Sequence, residues 1–178
     1  MQLTLIPHPD AMPAQPGFDM WARVELSAAF GLTATLNLWF GISAPAERFV
    51  IPADAEPKRA DGLWRTTCFE AFLSDSDDCA YREWNFNPSG NWAAYDFTDY
   101  RAGMANADVA AAPYIRVEDN LTWWTLGATI GIVVAPPRAL GVAAVLEETD
   151  GTKSYWALAH GAGQPDFHNR DCFIARLP

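Results

Sequence analysis

Between Asp61 and Met104 the sequence interleaves Trp64, Trp84, Trp92, Tyr81, Tyr95 and Tyr100 with Arg65, Glu70, Arg82, Glu83 and Arg101. Flat aromatic faces beside charged hydrogen-bonding groups suit a sugar ring. Its axial C–H bonds pack on an indole, while carboxylate, guanidinium and amide groups take its hydroxyls. Paired carboxylates could instead hydrolyse a glycoside, and Glu70 and Glu83 are the plausible pair. The rest of a catalytic apparatus is missing. The chain has no nucleophile elbow, phosphate loop or His-x-Glu metal motif, and His168 with Asp171 lacks a nucleophile to make a triad. Binding without chemistry is the expected role.

The elements that position these residues have a period of two. From Leu32 to Ile42 the apolar side chains fall at Leu32, Ala34, Leu36, Leu38, Phe40 and Ile42, with Thr33, Thr35 and Asn37 between them, which predicts a half-buried strand. Further strand-like runs are Leu3–Ile6, Arg23–Ser27, Phe49–Ile51, Thr66–Leu73, Tyr81–Asn87, Ala93–Thr98, Tyr114–Val117, Thr122–Val134, Val142–Glu147, Tyr155–His160 and Cys172–Arg176. Turn residues separate them at Phe30-Gly31-Leu32, Asn87-Pro88-Ser89-Gly90-Asn91, Glu118-Asp119-Asn120 and Thr149-Asp150-Gly151-Thr152. Hairpins are expected across the second and fourth of these turns. The alanine-rich stretch Ala102–Ala112 is the one place where a helix is expected, ended by Pro113. Many short strands without a long helical period predict an all-β fold, a single-domain antiparallel β-sandwich of jelly-roll type over residues 1–178.

Alternation then sorts the side chains. With Trp64–Leu73 as a strand, Trp64, Thr66, Cys68, Glu70 and Phe72 share one face, and Phe69, Ala71 and Leu73 turn to the core. Glu70 lies among apolar neighbours, where a carboxylate needs a partner or a ligand hydroxyl. A salt bridge from Glu70 to Arg82 or Arg101 is the competing reading, and any of the tryptophans could equally be core. The candidate ligand-binding residues are Trp64 and Trp92 for stacking, with Glu70, Arg82, Arg101 and Asn169 for hydrogen bonds.

Composition narrows the partners. The 178 residues carry 22 acidic and 12 basic groups, a net charge of −10, with no basic stripe to meet a nucleic-acid backbone or an anionic membrane. The start of the chain, MQLTLIPHPDAMP, has no basic segment and its apolar run stops at Pro7, so neither a signal peptide nor a membrane span is expected there. Cys68, Cys79 and Cys172 are an odd set without metal-site spacing, which fits a reducing, cytoplasmic setting. No cofactor is required. Heme would have His8, His160 and His168 with Met12, Met20 and Met104 to choose from, without ligand-like spacing, and calcium would have Asp75, Asp77 and Asp78, which a solvated acidic turn explains equally well. Trp39, set opposite the apolar side of its strand, and the Trp123-Trp124 pair offer an indole to a protein partner or a second copy of the chain.

The runs LWRTTCFEAFLS, YREWNFNPSGNWAAYDFTDYRAGM and SYWALAHGAGQPDFHNRDCF resemble the DOMON-like proteins, relatives of the family 9 carbohydrate-binding modules and of heme- or sugar-binding DOMON domains. The resemblance covers the chain from about Asp61 onward, through a W-x5-E pattern followed by an aromatic–Asn–x–x–Pro–x–Gly hairpin. It implies a β-sandwich that binds a small ligand, with Trp64 as stacking platform and Glu70 as hydroxyl acceptor. The sugar-binding relatives close the site with a second tryptophan near the C-terminus beside an asparagine. Here Asn169 is present, but its aromatic neighbours are Phe167 and Phe173.

Overall fold

Alternating apolar side chains drive twelve strands into one curled, wholly antiparallel sheet in a computed structural model that describes residues 1–27, 33–53, 56–75, 79–133 and 138–177. The strands are β1 (Gln2–Pro7), β2 (Met20–Leu26), β3 (Thr33–Ile42), β4 (Cys68–Asp75), β5 (Tyr81–Phe86), β6 (Trp92–Phe97), β7 (Ala105–Asn106), β8 (Tyr114–Asp119), β9 (Trp124–Val133), β10 (Arg138–Glu147), β11 (Lys153–Ala157) and β12 (Ala175–Arg176). Their order is β7-β6-β5-β4-β10-β11-β1-β2-β3-β9-β8, with β12 beside β10. β1 belongs to both halves: Gln2 to Leu5 pair with β2, and Ile6 and Pro7 pair with β11. The sheet folds over at this strand into the two layers of a β-sandwich.

The inner faces meet in one core. Leu36, Leu38, Phe40, Phe69, Trp84, Phe86, Trp124, Leu126 and Leu140 are among its fully buried members. Burying a leucine or phenylalanine fully contributes about 1.5–3 kcal/mol each, so this layer supplies most of the driving force. Phe69, Ala71 and Leu73 point into it, as the alternation predicts. The other face of β4 and β5 is buried too. There Cys68, Phe72, Tyr81, Tyr95 and Phe97 pack with Phe167, Cys172 and Phe173 from the C-terminal segment. That covering segment makes an enclosed site possible on an outer face.

Both expected hairpins form. Between β5 and β6 the Asn87 Oδ1 accepts from the Ser89 amide at 2.9 Å, and Gly90 turns the chain at φ 89°. Between β10 and β11, Glu147 pairs with Lys153 and Gly151 sits at φ 90°. Both glycines occupy the left-handed region that L side chains rarely adopt. The proline-rich loop at residues 7–17 is tied down by Arg48, which pairs with the buried Glu148 and donates to the Pro16 carbonyl at 2.6 Å.

Four expectations change. The alanine-rich stretch makes no helix. Gly103 at φ 66° interrupts it, β7 pairs with β6, and the Ala107 amide donates to the Ala94 carbonyl at 2.9 Å, so sheet-edge pairing overrides helix propensity. Trp64 is not on a strand: Leu63–Arg65 is a 3-10 turn entered through Gly62 at φ 74°. Phe49–Ile51 contributes a single bridge, Phe49 to Glu148. The C-terminal run divides into a 3-10 turn, Arg170–Cys172, and the two-residue β12. The turn at 30–32 and the acidic residues Asp77 and Asp78 lie outside the described residues. No helix among the described residues is long and apolar enough to cross a membrane.

The outer face of the opposite layer carries its own aromatics. Trp21 pairs with Gly41 and Trp39 with Gly127 across neighbouring strands, and a Cβ at Gly41 would come within 2.1 Å of the Trp21 ring. Arg23 lies 5.4 Å from the Trp39 ring centre. Trp124 is fully buried while Trp123 is 42% exposed, one indole on each side of the layer.

Candidate functional site

The floor of the site follows from register. Glu70 on β4 faces Asn85 on β5, and Phe72 faces Glu83. Glu70 and Glu83 are therefore diagonal neighbours on one face of the sheet, a separation that long side chains span. Both are buried, Glu70 to 3% exposure. The Asn85 amide donates to Glu83 Oε1 at 2.6 Å and accepts weakly from the Cys68 thiol at 3.4 Å. Among the described residues the Glu70 carboxylate accepts no hydrogen bond; only the charges of Glu83 and Arg101 act on it. It opens instead onto a cavity of about 370 Å³, at the small end of the range for ligand pockets (roughly 300–1,000 Å³).

The walls are aromatic and apolar. Tyr155 and Val145 come from β11 and β10, Phe97 from the end of β6, and Phe167 and Pro165 from the C-terminal loop. Trp64 stands at the rim, 38% exposed, its ring edge-on to Tyr95 at 6.1 Å. The Tyr95 hydroxyl donates to Asp61 at 2.6 Å, and the Lys153 ammonium donates to the Arg65 carbonyl at 2.6 Å. These two contacts fix the 3-10 turn that carries the indole.

The roof is a clasp between two loops. Asp99 and Ala102 close a tight turn whose tip holds Tyr100 and Arg101, the latter at φ 51°. Asp166 takes both of them, accepting from the Tyr100 hydroxyl at 2.6 Å and from Arg101 Nη2 at 2.7 Å. It also accepts from the His168 amide at 3.2 Å. Behind the clasp, the Tyr81 hydroxyl accepts from the Arg101 amide at 3.2 Å and shares a hydrogen bond of 2.7 Å with His168 Nδ1. The other ring nitrogen, His168 Nε2, lies 3.8 Å from Glu83 Oε2.

Electrostatics follow from this enclosure. Burial pushes the Glu70 carboxyl well above the usual carboxylate range, the neighbouring Glu83 charge adds to the rise, and Arg101 opposes it. Burial raises Glu83 as well, against the Asn85 hydrogen bond and Arg101. Two carboxylates so placed cannot both ionise freely. Burial and the Arg101 charge bring His168 down to about 4, so it is neutral at pH 7 and its approach to Glu83 is not an ion pair. The Cys68 thiol beneath is held well up by burial and by both glutamates, an inert packing group rather than a nucleophile.

No protein-family profile matches the sequence, and no curated protein matches it. Solved structures do match. A protein from Bacteroides uniformis ATCC 8492, provisionally described as carbohydrate-binding, superposes with a TM-score of 0.62 at 15% identity, over 97% of this chain and 83% of that one. A family 9 carbohydrate-binding module from Caldicellulosiruptor kristjanssonii in complex with glucose gives 0.54 at 9% identity, over 89% and 76% of the two chains. The same kind of module with cellotriose gives 0.54 at 10% identity, over 84% and 70%. The fold is that of a family 9 carbohydrate-binding module.

Within this fold, the six residues singled out from the sequence divide. Trp64, Glu70 and Arg101 meet at the cavity. Arg82 points from the opposite face of β5 and forms a two-pronged pair with Asp96, at 2.7 and 2.8 Å. Neither Arg82 nor Arg101 salt-bridges Glu70. Trp92 is 8% exposed and packs in the inter-sheet core with Trp84 at 6.1 Å, its other side taken by the Arg59 guanidinium at 5.0 Å. Asn169 caps the 3-10 turn, accepting from the Asp171 amide at 3.0 Å, and its own amide packs on Gly161. The structure thus brings neither Arg82, Trp92 nor Asn169 to the cavity lining.

The ligand-binding candidates read from the sequence omit Tyr155, Phe167, His168 and the clasp residue Asp166, and they omit Glu83, which the sequence offers only as a carboxylate paired with Glu70. The loop residues carry no periodic signal. Of the metal- and heme-ligand types, Met20 is core, His8 packs edge-on to His160 at 4.9 Å, and His160 bonds the Ile6 carbonyl at 2.8 Å. Met104 and His168 reach the cavity, but Tyr81 already occupies His168 Nδ1. Among the described residues no three His, Cys, Asp or Glu side chains converge as a metal cluster.

Proposed function

We propose that this chain is a DOMON-like relative of the family 9 modules, one domain over residues 1–178, that binds a mono- or disaccharide without chemistry. The carrying observation is Glu70: a buried carboxylate without a hydrogen-bond donor, opening onto an aromatic cavity. A buried carboxyl left without hydrogen-bond partners is costly, and sugar hydroxyls supply those partners. Trp64 offers its exposed ring as the stacking face, and Phe167 and Tyr155 line the same cavity. The solved structures that share the fold include modules bound to glucose and cellotriose, which supports the sugar class.

Calorimetric titration with a panel of mono- and disaccharides tests the reading. At least one sugar is expected to bind in the millimolar range or tighter, and Glu70→Gln is expected to weaken it about tenfold or more, the loss of a charge-assisted hydrogen bond. No heat and no change in tryptophan fluorescence with any sugar would overturn it.

A further inference from the structure

The cavity has more carboxyl groups than a neutral ring needs. Glu70 and Glu83 both open onto it, from adjacent strands and diagonal rows. Among the residues that line it Arg101 is the one cation, and two of its nitrogens, Nε at 3.2 Å and Nη2 at 2.7 Å, are already given to Asp166. His168 contributes no charge at pH 7, since it lies buried beside Arg101 with Nδ1 engaged by the Tyr81 hydroxyl at 2.7 Å. Glu83 receives one amide donor from Asn85, and Glu70 receives none. Hydroxyls could donate to these oxygens, but they bring no positive charge that would let both carboxyls ionise.

We infer that the cavity selects a ring bearing an ammonium group, an amino sugar with a free amine, held between the Glu70 and Glu83 carboxylates. This rests on the sugar-binding reading above and narrows its ligand class. One ammonium has three donors, enough to bridge both carboxylates, and its charge lets both ionise together. Trp64 would take the apolar face of the same ring, while two nitrogens of Arg101, the cavity's own cation, stay engaged by Asp166.

Glucosamine, glucose and N-acetylglucosamine, titrated at pH 7 into the full chain, separate the possibilities. An amine, with an ordinary pKa of about 7.7 or higher, is largely charged at that pH. Glucosamine is expected to bind about tenfold or more tightly than either neutral sugar, and added salt is expected to erode the difference. Glu83→Gln, checked for folding by its thermal melt, should bring the glucosamine-to-glucose affinity ratio toward one. Glucose binding as tightly as glucosamine would overturn the amino-sugar inference and leave the sugar site standing. Binding of none of the three, nor of any sugar in the wider panel, would overturn both.

Discussion

Glu70 and Glu83 lie diagonally across β4 and β5, both buried and both open to one cavity. A carboxylate pair in that position is a poor choice for stability alone. Apolar residues of similar size would fill the face without the cost of burying charge. The pair is therefore best understood through what enters the cavity.

The pair makes stability depend on pH in a defined direction. Both folded-state pKa values are raised above the ordinary value for glutamate, so the native state holds protons that the unfolded chain has released. Their contribution is full below the unfolded value, about 4.3, and is lost as pH rises through the raised folded values. His168 acts in the other direction. Its folded pKa of about 4 lies below the ordinary 6.5, so stability is lost as pH falls from 6.5 toward 4, by roughly 3 kcal/mol at most. Urea melts across pH 4–8 should show Glu70→Gln flattening the loss at higher pH and His168→Gln flattening the loss at lower pH. Unchanged slopes in both variants would refute the assignment.

The tryptophans should separate by function. Trp64→Ala is expected to weaken sugar binding about tenfold or more while costing under about 1 kcal/mol of stability, because the ring stands at the rim. Trp84→Ala and Trp92→Ala empty the inter-sheet core and should cost about 3–5 kcal/mol each. Calorimetry and urea unfolding on the same three variants give both readouts. A Trp64→Ala protein that binds normally would remove the indole from the site.

Asp166 joins the Arg101 turn to the C-terminal loop through partly exposed contacts. Asp166→Ala should leave global stability within about 1–2 kcal/mol, since exposed ion pairs contribute little. Hydrogen exchange at residues 99–103 and 165–168 is expected to speed up, and ligand to dissociate faster. Exchange rates matching those of the parent protein would show that the clasp is held by packing instead.

Much of the architecture is legible in the sequence because side-chain direction alternates along a strand. Phe69, Ala71 and Leu73 go to the core and Glu70 goes away from it, whatever the topology. Hairpin turns are legible for the same local reason: Gly90 and Gly151 occupy left-handed backbone that few other residues adopt. The Ala102–Ala112 stretch misleads because its helix propensity, worth tenths of a kcal/mol per residue, loses to pairing with β6. Trp92 and Arg82 mislead for another reason. Alternation says which side of a strand a residue takes, not whether that side meets a core, a partner such as Asp96, or a cavity.

The sequence by itself determined a two-period, all-β chain and placed Glu70 away from the core. Tertiary structure decided that the outer face would be enclosed. The C-terminal segment folds back over β4 and β5, Asp166 clasps Arg101, and Trp64 arrives on a 3-10 turn rather than along the strand. Those contacts join residues up to roughly a hundred positions apart. Their energies come from surface buried between distant segments, which no local pattern of side chains encodes.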